Sequence, residues 1–216
     1  MYDIIFFDLD GTLTESGLGI VNSILFALER FDIHEKDIEK LKKFIGPPLA
    51  ESFMKFYDFT GEDAKQAVGF CQEYLKKKGI FEAPLYTGIE TLLRDLKEAG
   101  KTLYVATSKP EVFARQILEH LQVHNYFHDI VGSNIDGTRI KKDEIISAIL
   151  EKNRVTNKSK VVMVGDREHD VMGARKVGID SIGVLYGYGD YDELVTAGAT
   201  HIVKTPEDVF KIVKRI

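Results

Sequence analysis

Four aspartates stand where short apolar runs end in this 216-residue chain. Asp8 and Asp10 close the run Ile4-Ile-Phe-Phe7 and are followed by Gly11 and Thr12. Asp166 follows the run Val161 to Gly165, and Asp170 comes four residues later, one turn into the next helix. Thr107, Ser108 and Lys109 end the run Thr102 to Ala106, and Lys141 and Lys142 open a later apolar pattern. In an open α/β sheet, ligands bind beyond the carboxyl ends of the strands. Read that way, these groups collect at one edge. Four carboxylates so close repel one another unless they are protonated or neutralised. A hard divalent cation with oxygen ligands is the natural partner, and magnesium suits one to three carboxylates, waters and a substrate phosphate. A metal-bound phosphate beside a free carboxylate points to phosphoryl transfer onto Asp, which divides one hard displacement into two easier ones. Lysine and hydroxyl groups would hold the transferring oxygens.

The elements that must position these groups are short strands and helices in alternation. The first strand spans Asp3 to Asp10, short, β-branched and aromatic. Further strands are expected at Thr102 to Ala106, Asp129 to Gly132, Val161 to Gly165, Ser181 to Leu185 and His201 to Val203. Helical spacing separates them: Ile89, Leu92, Leu93 and Leu96, closed by Gly100; Val112, Phe113, Ile117 and Leu121; Ile145, Ile146, Ile149 and Leu150. Two shorter helices are expected at Val171 to Val177 and Leu194 to Ala197, and Pro206 opens a last one. Such alternation implies parallel pairing with both sheet faces covered. The expected fold is α/β, a three-layer Rossmann-like core.

From Ser16 to Phe81 the rhythm is helical throughout. Ile20, Ile24, Leu28 and Phe31 share one face; Ile38, Leu41 and Ile45 suggest a second helix. Gly46-Pro47-Pro48 breaks the chain, Leu49, Phe53 and Phe56 begin a third, and Gly61 to Gly79 bounds a fourth. The expected domains are therefore 1–15 with 82–216 as the α/β core, and 16–81 as a helical insert.

The net charge is -5, with 44% hydrophobic and 29% charged residues. This composition excludes disorder and collagen-like repeats, and it lacks the basic excess of a general nucleic-acid binder. The insert carries as many basic as acidic residues, so the acidic excess belongs to the core. One cysteine, Cys71, fits a reducing compartment. The longest uncharged stretch, Ser16 to Leu28, is short of the roughly 20 residues that span a bilayer. No signal peptide and no membrane association are expected, and the expected location is cytoplasmic.

Asp8-Leu-Asp-Gly-Thr12 resembles the first motif of the haloacid dehalogenase superfamily. Thr107 after Leu-Tyr-Val-Ala resembles the second, Lys142 the third, and Gly165-Asp166 with Asp170 the fourth. Order and strand positions agree over nearly the whole chain, and the insert is similar to the superfamily's small α-helical cap. Thr107-Ser-Lys-Pro110 resembles the Thr-Asn-Lys-Pro of its phosphoglycolate-phosphatase-like branch. The resemblance implies a Mg²⁺-dependent phosphomonoester hydrolase acting on a small phosphorylated metabolite, as a monomer or homodimer. It implies that Asp8 attacks phosphorus and that Asp10 protonates the leaving alcohol, then deprotonates the attacking water. Metal would bind the Asp8 carboxylate, the Asp10 backbone carbonyl and Asp166, with Asp170 a ligand or an orienter of Lys142. Thr107, Lys142 and the backbone N–H groups of Leu9 and Ser108 would hold phosphate oxygens. The third motif departs from its usual form, since Asp143 follows the lysine where proline is common. Lys142 is preferred over Lys141, being two residues before Glu144 and the apolar helix pattern.

Other groups have simpler readings. His120, His124 and His128 have helical spacing, but the pattern breaks near Asn125 and no fourth ligand is evident. His169 faces solvent, Cys71 belongs to a helix core, and Lys76-Lys77-Lys78 is a solvated helix end. Gly183, Gly187 and Gly189 form no dinucleotide fingerprint; Tyr186 to Gly189 reads as a turn near the active edge. Lys42, Lys43 and Phe44 precede Gly46-Pro47-Pro48, a cap turn that could face the substrate; solvated helix charges are the simpler reading. A 5′-nucleotidase or pyrophosphatase of the same family is the alternative activity. A phosphosugar mutase would need histidine about ten residues past the second Asp, where Ile20 stands. A phospho-accepting receiver domain would need an Asp after the third strand, where Gly132 stands.

Overall fold

In the computed structural model, which describes residues 1–45, 47–136 and 138–214, six short runs pair into one parallel sheet. They are β1 (Ile4–Phe7), β2 (Thr102–Pro110), β3 (Asp129–Ser133), β4 (Val161–Gly165), β5 (Asp180–Val184) and β6 (His201–Val203). The order is β3-β2-β1-β4-β5-β6. The chain moves outward from β1 to β3, then returns to the other side of β1 with β4. That reversal is the topological switch point at which open α/β sheets bind ligands. Register fixes what meets there. Phe7 is level with Val105 and Val164, so Asp8, Ala106 and Gly165 form the next row.

Four helices lie between β1 and β2: α1 (Gly17–Glu29), α2 (Ile38–Lys42), α3 (Leu49–Tyr57) and α4 (Gly61–Lys77). The later ones are α5 (Ile89–Glu98), α6 (Glu111–His120), α7 (Lys142–Lys152), α8 (Glu168–Val177), α9 (Tyr191–Ala197) and α10 (Pro206–Lys214). Alternate strand side chains serve opposite faces of the sheet. Phe6, Tyr104 and Met163 lie in one row and pack with Ile145, Ile146 and Ile149 of α7 and Ala174 of α8. Ile5, Phe7, Leu103, Val105, Val162 and Val164 alternate with them and are fully buried on the other face. Each such side chain contributes about 1.5–3 kcal/mol through removal from water.

The chain divides into two compact units, Met1–Glu15 with Leu85–Ile216, and Ser16–Pro84. The second unit is helical and runs three residues beyond the expected end at 81. Glu82 accounts for this: its carboxylate accepts hydrogen bonds from Asn22 of α1 (3.1 Å) and the Tyr74 hydroxyl of α4 (3.1 Å), and Ala83 is buried. Its core joins Ile24 and Leu28 of α1, Leu41 of α2, Phe53 of α3 and Ala67 and Cys71 of α4, with Phe44. Phe44, Phe53 and Phe59 form edge and stacked ring pairs 5.1 and 5.5 Å apart.

Some details differ from the sequence expectation. β2 extends past Ala106 to Pro110 through an irregularity in its pairing with β3. Val112 and Ile38, expected on apolar stripes, are exposed, because each sits in the first turn of its helix. Gly46, part of the expected chain break, lies outside the described residues. No helix among the described residues is long and apolar enough to cross a membrane.

Candidate active site

Asp8 is the first residue past β1, and its neighbours across the sheet are the ends of β2 and β4. Lys142 reaches it from the first turn of α7. The Lys142 ammonium lies 2.8 Å from Asp8 Oδ1 and 2.7 Å from Asp170 Oδ1, and it donates to the Ala106 carbonyl at 2.8 Å. All three of its donors are therefore occupied. Lys141, one residue earlier, is exposed and precedes the helix as its N-cap. One residue of helix turns the side chain by about 100°, which separates the two lysines. Asp170 uses its other oxygen, Oδ2, to accept from the Arg167 N–H at the start of α8 (3.2 Å). It is both a helix-capping residue and the partner of Lys142.

Asp166 follows β4 and is fully buried. Its Oδ1 accepts from the Thr12 hydroxyl at 3.2 Å, and its Oδ2 from the Tyr188 backbone N–H at 2.9 Å. Gly11 permits the close approach of the first loop. It has φ +85°, and a Cβ there would collide with the Asp166 carboxylate. Neither the Thr12 nor the Tyr188 contact was assigned from the sequence, although both residues lie in segments expected at this edge.

Asp10 is paired with a second ammonium, Lys109, at 2.5 Å through Oδ2; its Oδ1 is buried without a hydrogen-bond partner. The Thr107 side chain is buried and its hydroxyl accepts from the Lys109 N–H at 3.2 Å. Leu9 is buried and Ser108 exposed. The structure thus gathers Asp8, Asp166, Asp170 and Lys142, and joins Asp10 to Lys109.

The electrostatics follow from burial and charge. Burial raises the Asp166 carboxyl to about 8, and the carboxylates of Asp170 and Asp8 add to the shift. Burial also raises Asp8, against the pull of the Lys142 ammonium. For Lys142 burial acts against the charge, but Asp170 and Asp8 overcome it and hold the ammonium above its ordinary range.

The donor set suits a metal ion. One oxygen from each of Asp8, Asp166 and Asp170 lies within 4.8 Å of the others. With all four carboxyl groups ionised, the two ammonium groups of Lys142 and Lys109 would leave a deficit of two positive charges. An all-oxygen set with that deficit fits a hard divalent cation. The three histidines lie elsewhere: His120 ends α6, His124 opens a short 3-10 turn, and His128 stacks edgewise on Tyr104 at 5.3 Å.

The model of the family described as haloacid dehalogenase-like hydrolase matches residues 5–184. The chain belongs to that family. Among haloacid dehalogenase-like relatives, it is 45% identical over 200 residues to the 5′-nucleotidase of Pseudomonas aeruginosa, covering 93% of this chain and 90% of that one. It is 38% identical over 207 residues to the tyrosine-protein kinase PtkA of Mycobacterium tuberculosis, covering 94% and 70%. It is 24% identical over 218 residues to the phosphoglycolate phosphatase of Vibrio parahaemolyticus, covering 97% and 95%. The crystal structure of a Clostridium difficile protein described as a phosphatase superimposes with a TM-score of 0.92 at 48% identity, covering 98% of each chain. Family and relatives together make this haloacid dehalogenase-like hydrolase an enzyme of the phosphatase class.

Proposed function

We propose that the chain hydrolyses a small phosphate monoester through an aspartyl-phosphate on Asp8, with Mg²⁺ as cofactor. The observation that carries this reading is the Asp8 carboxylate itself, at a strand end, ion-paired to a buried lysine and within metal-sharing distance of Asp166. A bound Mg²⁺, held by Asp8, the Asp10 backbone carbonyl and Asp166, would neutralise phosphate charge and orient it.

In the first step an Asp8 oxygen forms a bond to phosphorus while the ester P–O bond breaks. Asp10 gives its proton to the departing alcohol oxygen. In the second step water attacks the phosphorus, Asp10 takes a proton from it, and the bond to Asp8 breaks, releasing inorganic phosphate. Lys142 offsets the charge on Asp8 and on the transferring oxygens, and Asp170 aims Lys142. Thr107 and the N–H groups of Leu9 and Ser108 hold the remaining oxygens. The helical unit, as the cap of this family, would select the ester.

The greater likeness to a 5′-nucleotidase favours a nucleoside 5′-monophosphate over phosphoglycolate, which the motif resemblance alone put first. The test is Mg²⁺-dependent phosphate release from nucleoside 5′-monophosphates, phosphoglycolate, sugar phosphates, pyrophosphate and an aryl phosphate. Release should be fastest from one monoester, stop reversibly on chelation, and fall to background in Asp8→Asn with the fold retained. A fully active Asp8→Asn enzyme rules out the nucleophile.

A further inference from the structure

Among the described residues at this site, Lys109 carries an ammonium to which the two-step reaction above gives no task. Its side chain is 12% exposed, and its ammonium lies against Asp10 Oδ2. The local backbone is built to put it there. A regular strand would carry β2 straight past Thr107, with alternate residues on alternate faces. Instead the pairing of β2 with β3 is irregular between Ala106 and Pro110. A break in strand regularity, as at a bulge, re-aims a side chain, and the Lys109 N–H here donates to the Thr107 hydroxyl at 3.2 Å.

The same segment is clamped from the edge strand. Gly132 of β3 packs so tightly on the Lys109 carbonyl and the Glu111 N–H that a Cβ there would collide with both. Arg139 donates to the Gly132 carbonyl at 2.8 Å and to Glu111 at 3.3 Å, and Arg115 donates to Glu111 at 3.0 Å and to the Ile130 carbonyl at 2.7 Å. Two guanidinium groups thus tie β3 to the Glu111 side chain, two residues after Lys109.

We infer that Lys109 is a positioning residue for Asp10. The ammonium fastens one carboxyl oxygen, Oδ2, and leaves the other, Oδ1, buried and without a partner. A carboxyl group that can rotate presents either oxygen; one fastened at Oδ2 presents Oδ1 alone. The gain is orientation, which lowers a barrier only for the step in which Asp10 moves a proton. The inference rests on the acid–base role proposed for Asp10, and it goes beyond that role by assigning how the carboxyl is held.

The experiment uses the leaving group as the discriminator. Single-turnover release is measured for an alkyl phosphate, whose alkoxide needs a proton, and for 2,4-dinitrophenyl phosphate, whose phenolate leaves without one. Wild type, Lys109→Met, Lys109→Arg and Asp10→Asn are compared, with circular dichroism to check folding. Lys109→Met should slow alcohol release by on the order of 10- to 100-fold, with the half-saturating substrate concentration little changed. Dinitrophenolate release should stay within about threefold, and Lys109→Arg should restore most of the alcohol release. Equal losses for both esters, or a loss in substrate affinity alone, overturns the inference and makes Lys109 a substrate-binding cation. Asp10→Asn separates the two levels. If it shows the leaving-group dependence and Lys109→Met does not, only the positioning role fails; if it shows none, the acid–base role fails and the positioning role with it.

Discussion

The helical unit closes on Phe44, Phe53, Leu28 and Leu41, and among its described residues it buries no Asp, Glu, Lys or Arg side chain. The sheet unit buries Lys101, Lys142, Asp166 and Asp170, and three of these four stand at the carboxyl end of the strands. One chain therefore contains two ways of filling an interior. Apolar side chains stabilise wherever they are covered. Buried charges cost stability unless each has its partner, and they are retained where they do chemistry. The sheet unit pays for its reactive edge with its own stability, whereas the helical unit has no such cost to carry.

The largest expected departure from this contrast comes from Lys142→Met. The substitution keeps an unbranched stem of similar length as far as Cε and removes the ammonium shared by Asp8 and Asp170. Removing one partner of a buried ion pair costs about 3–5 kcal/mol because the remaining charges are left uncompensated. Urea denaturation at neutral pH without metal should show that loss, and phosphate release should fall by on the order of 10²–10³-fold. Unchanged stability would mean that Asp8 and Asp170 do not both carry charge in the wild type.

Asp166→Asn should do the reverse to stability. The Asp166 carboxyl is raised to about 8 in the folded chain, against about 3.9 in an unfolded one. Between those values the folded state binds the extra proton, so metal-free wild-type stability falls as pH rises through this window. Asparagine does not titrate. The variant should therefore gain on the wild type from pH 5 to pH 8, reaching on the order of 1–3 kcal/mol. Denaturation with chelator present at pH 5, 6.5 and 8 measures the gap, and a constant gap would contradict the raised carboxyl. The helical unit should not contribute to the slope. Its Glu35 is held low, at about 2, by the Asp37 N–H first and then by Tyr57 and Lys40. Its stabilisation is complete above the ordinary glutamate range and is lost only as pH falls towards 2.

The two units also differed in what their sequences disclosed. All six strands of the sheet were legible as short apolar runs; the inner ones, buried on both faces, leave no polar alternation to blur them. Asp8 and Asp166 came with them, since a parallel register puts successive strand ends in one row. Lys142 and Lys141 could be ordered only by the helix pattern beyond them, and the ion pairs with Asp8 and Asp170 separate them in space. In the sequence Lys109 stands as a strand-end residue with no task of its own, because an irregular strand end has no period to read. The Thr12 and Tyr188 contacts to Asp166 were missed for the same reason: both come from loops, and one is a backbone N–H. In the helical unit the 3.6-residue period marked each helix but not the exposure of Ile38 or the return at Pro84. The first depends on which turn packs, and the second on the hydrogen bonds to Glu82.

The smallest expected effect tests whether the helical unit's stability can be changed without touching the chemistry. Thr60 caps α4: its hydroxyl accepts from the Asp63 N–H at 3.2 Å and donates to Asp63 Oδ2 at 2.6 Å, and Asp63 accepts in return from the Thr60 N–H at 3.3 Å. This reciprocal arrangement satisfies two N–H groups that the first turn of a helix otherwise leaves open. α4 packs along α1 and lines the apolar core, so loosening its first turn weakens that unit first. Thr60→Ala should cost about 1 kcal/mol and lower the unfolding midpoint accordingly. Because Thr60 lies in the unit that buries no charged side chain, the loss should be the same at pH 5 and pH 8. The rate of phosphate release at temperatures well below the midpoint should match the wild type. A pH-dependent loss, or a fall in that rate, would show that stability and chemistry are not divided between the two units as their buried side chains indicate.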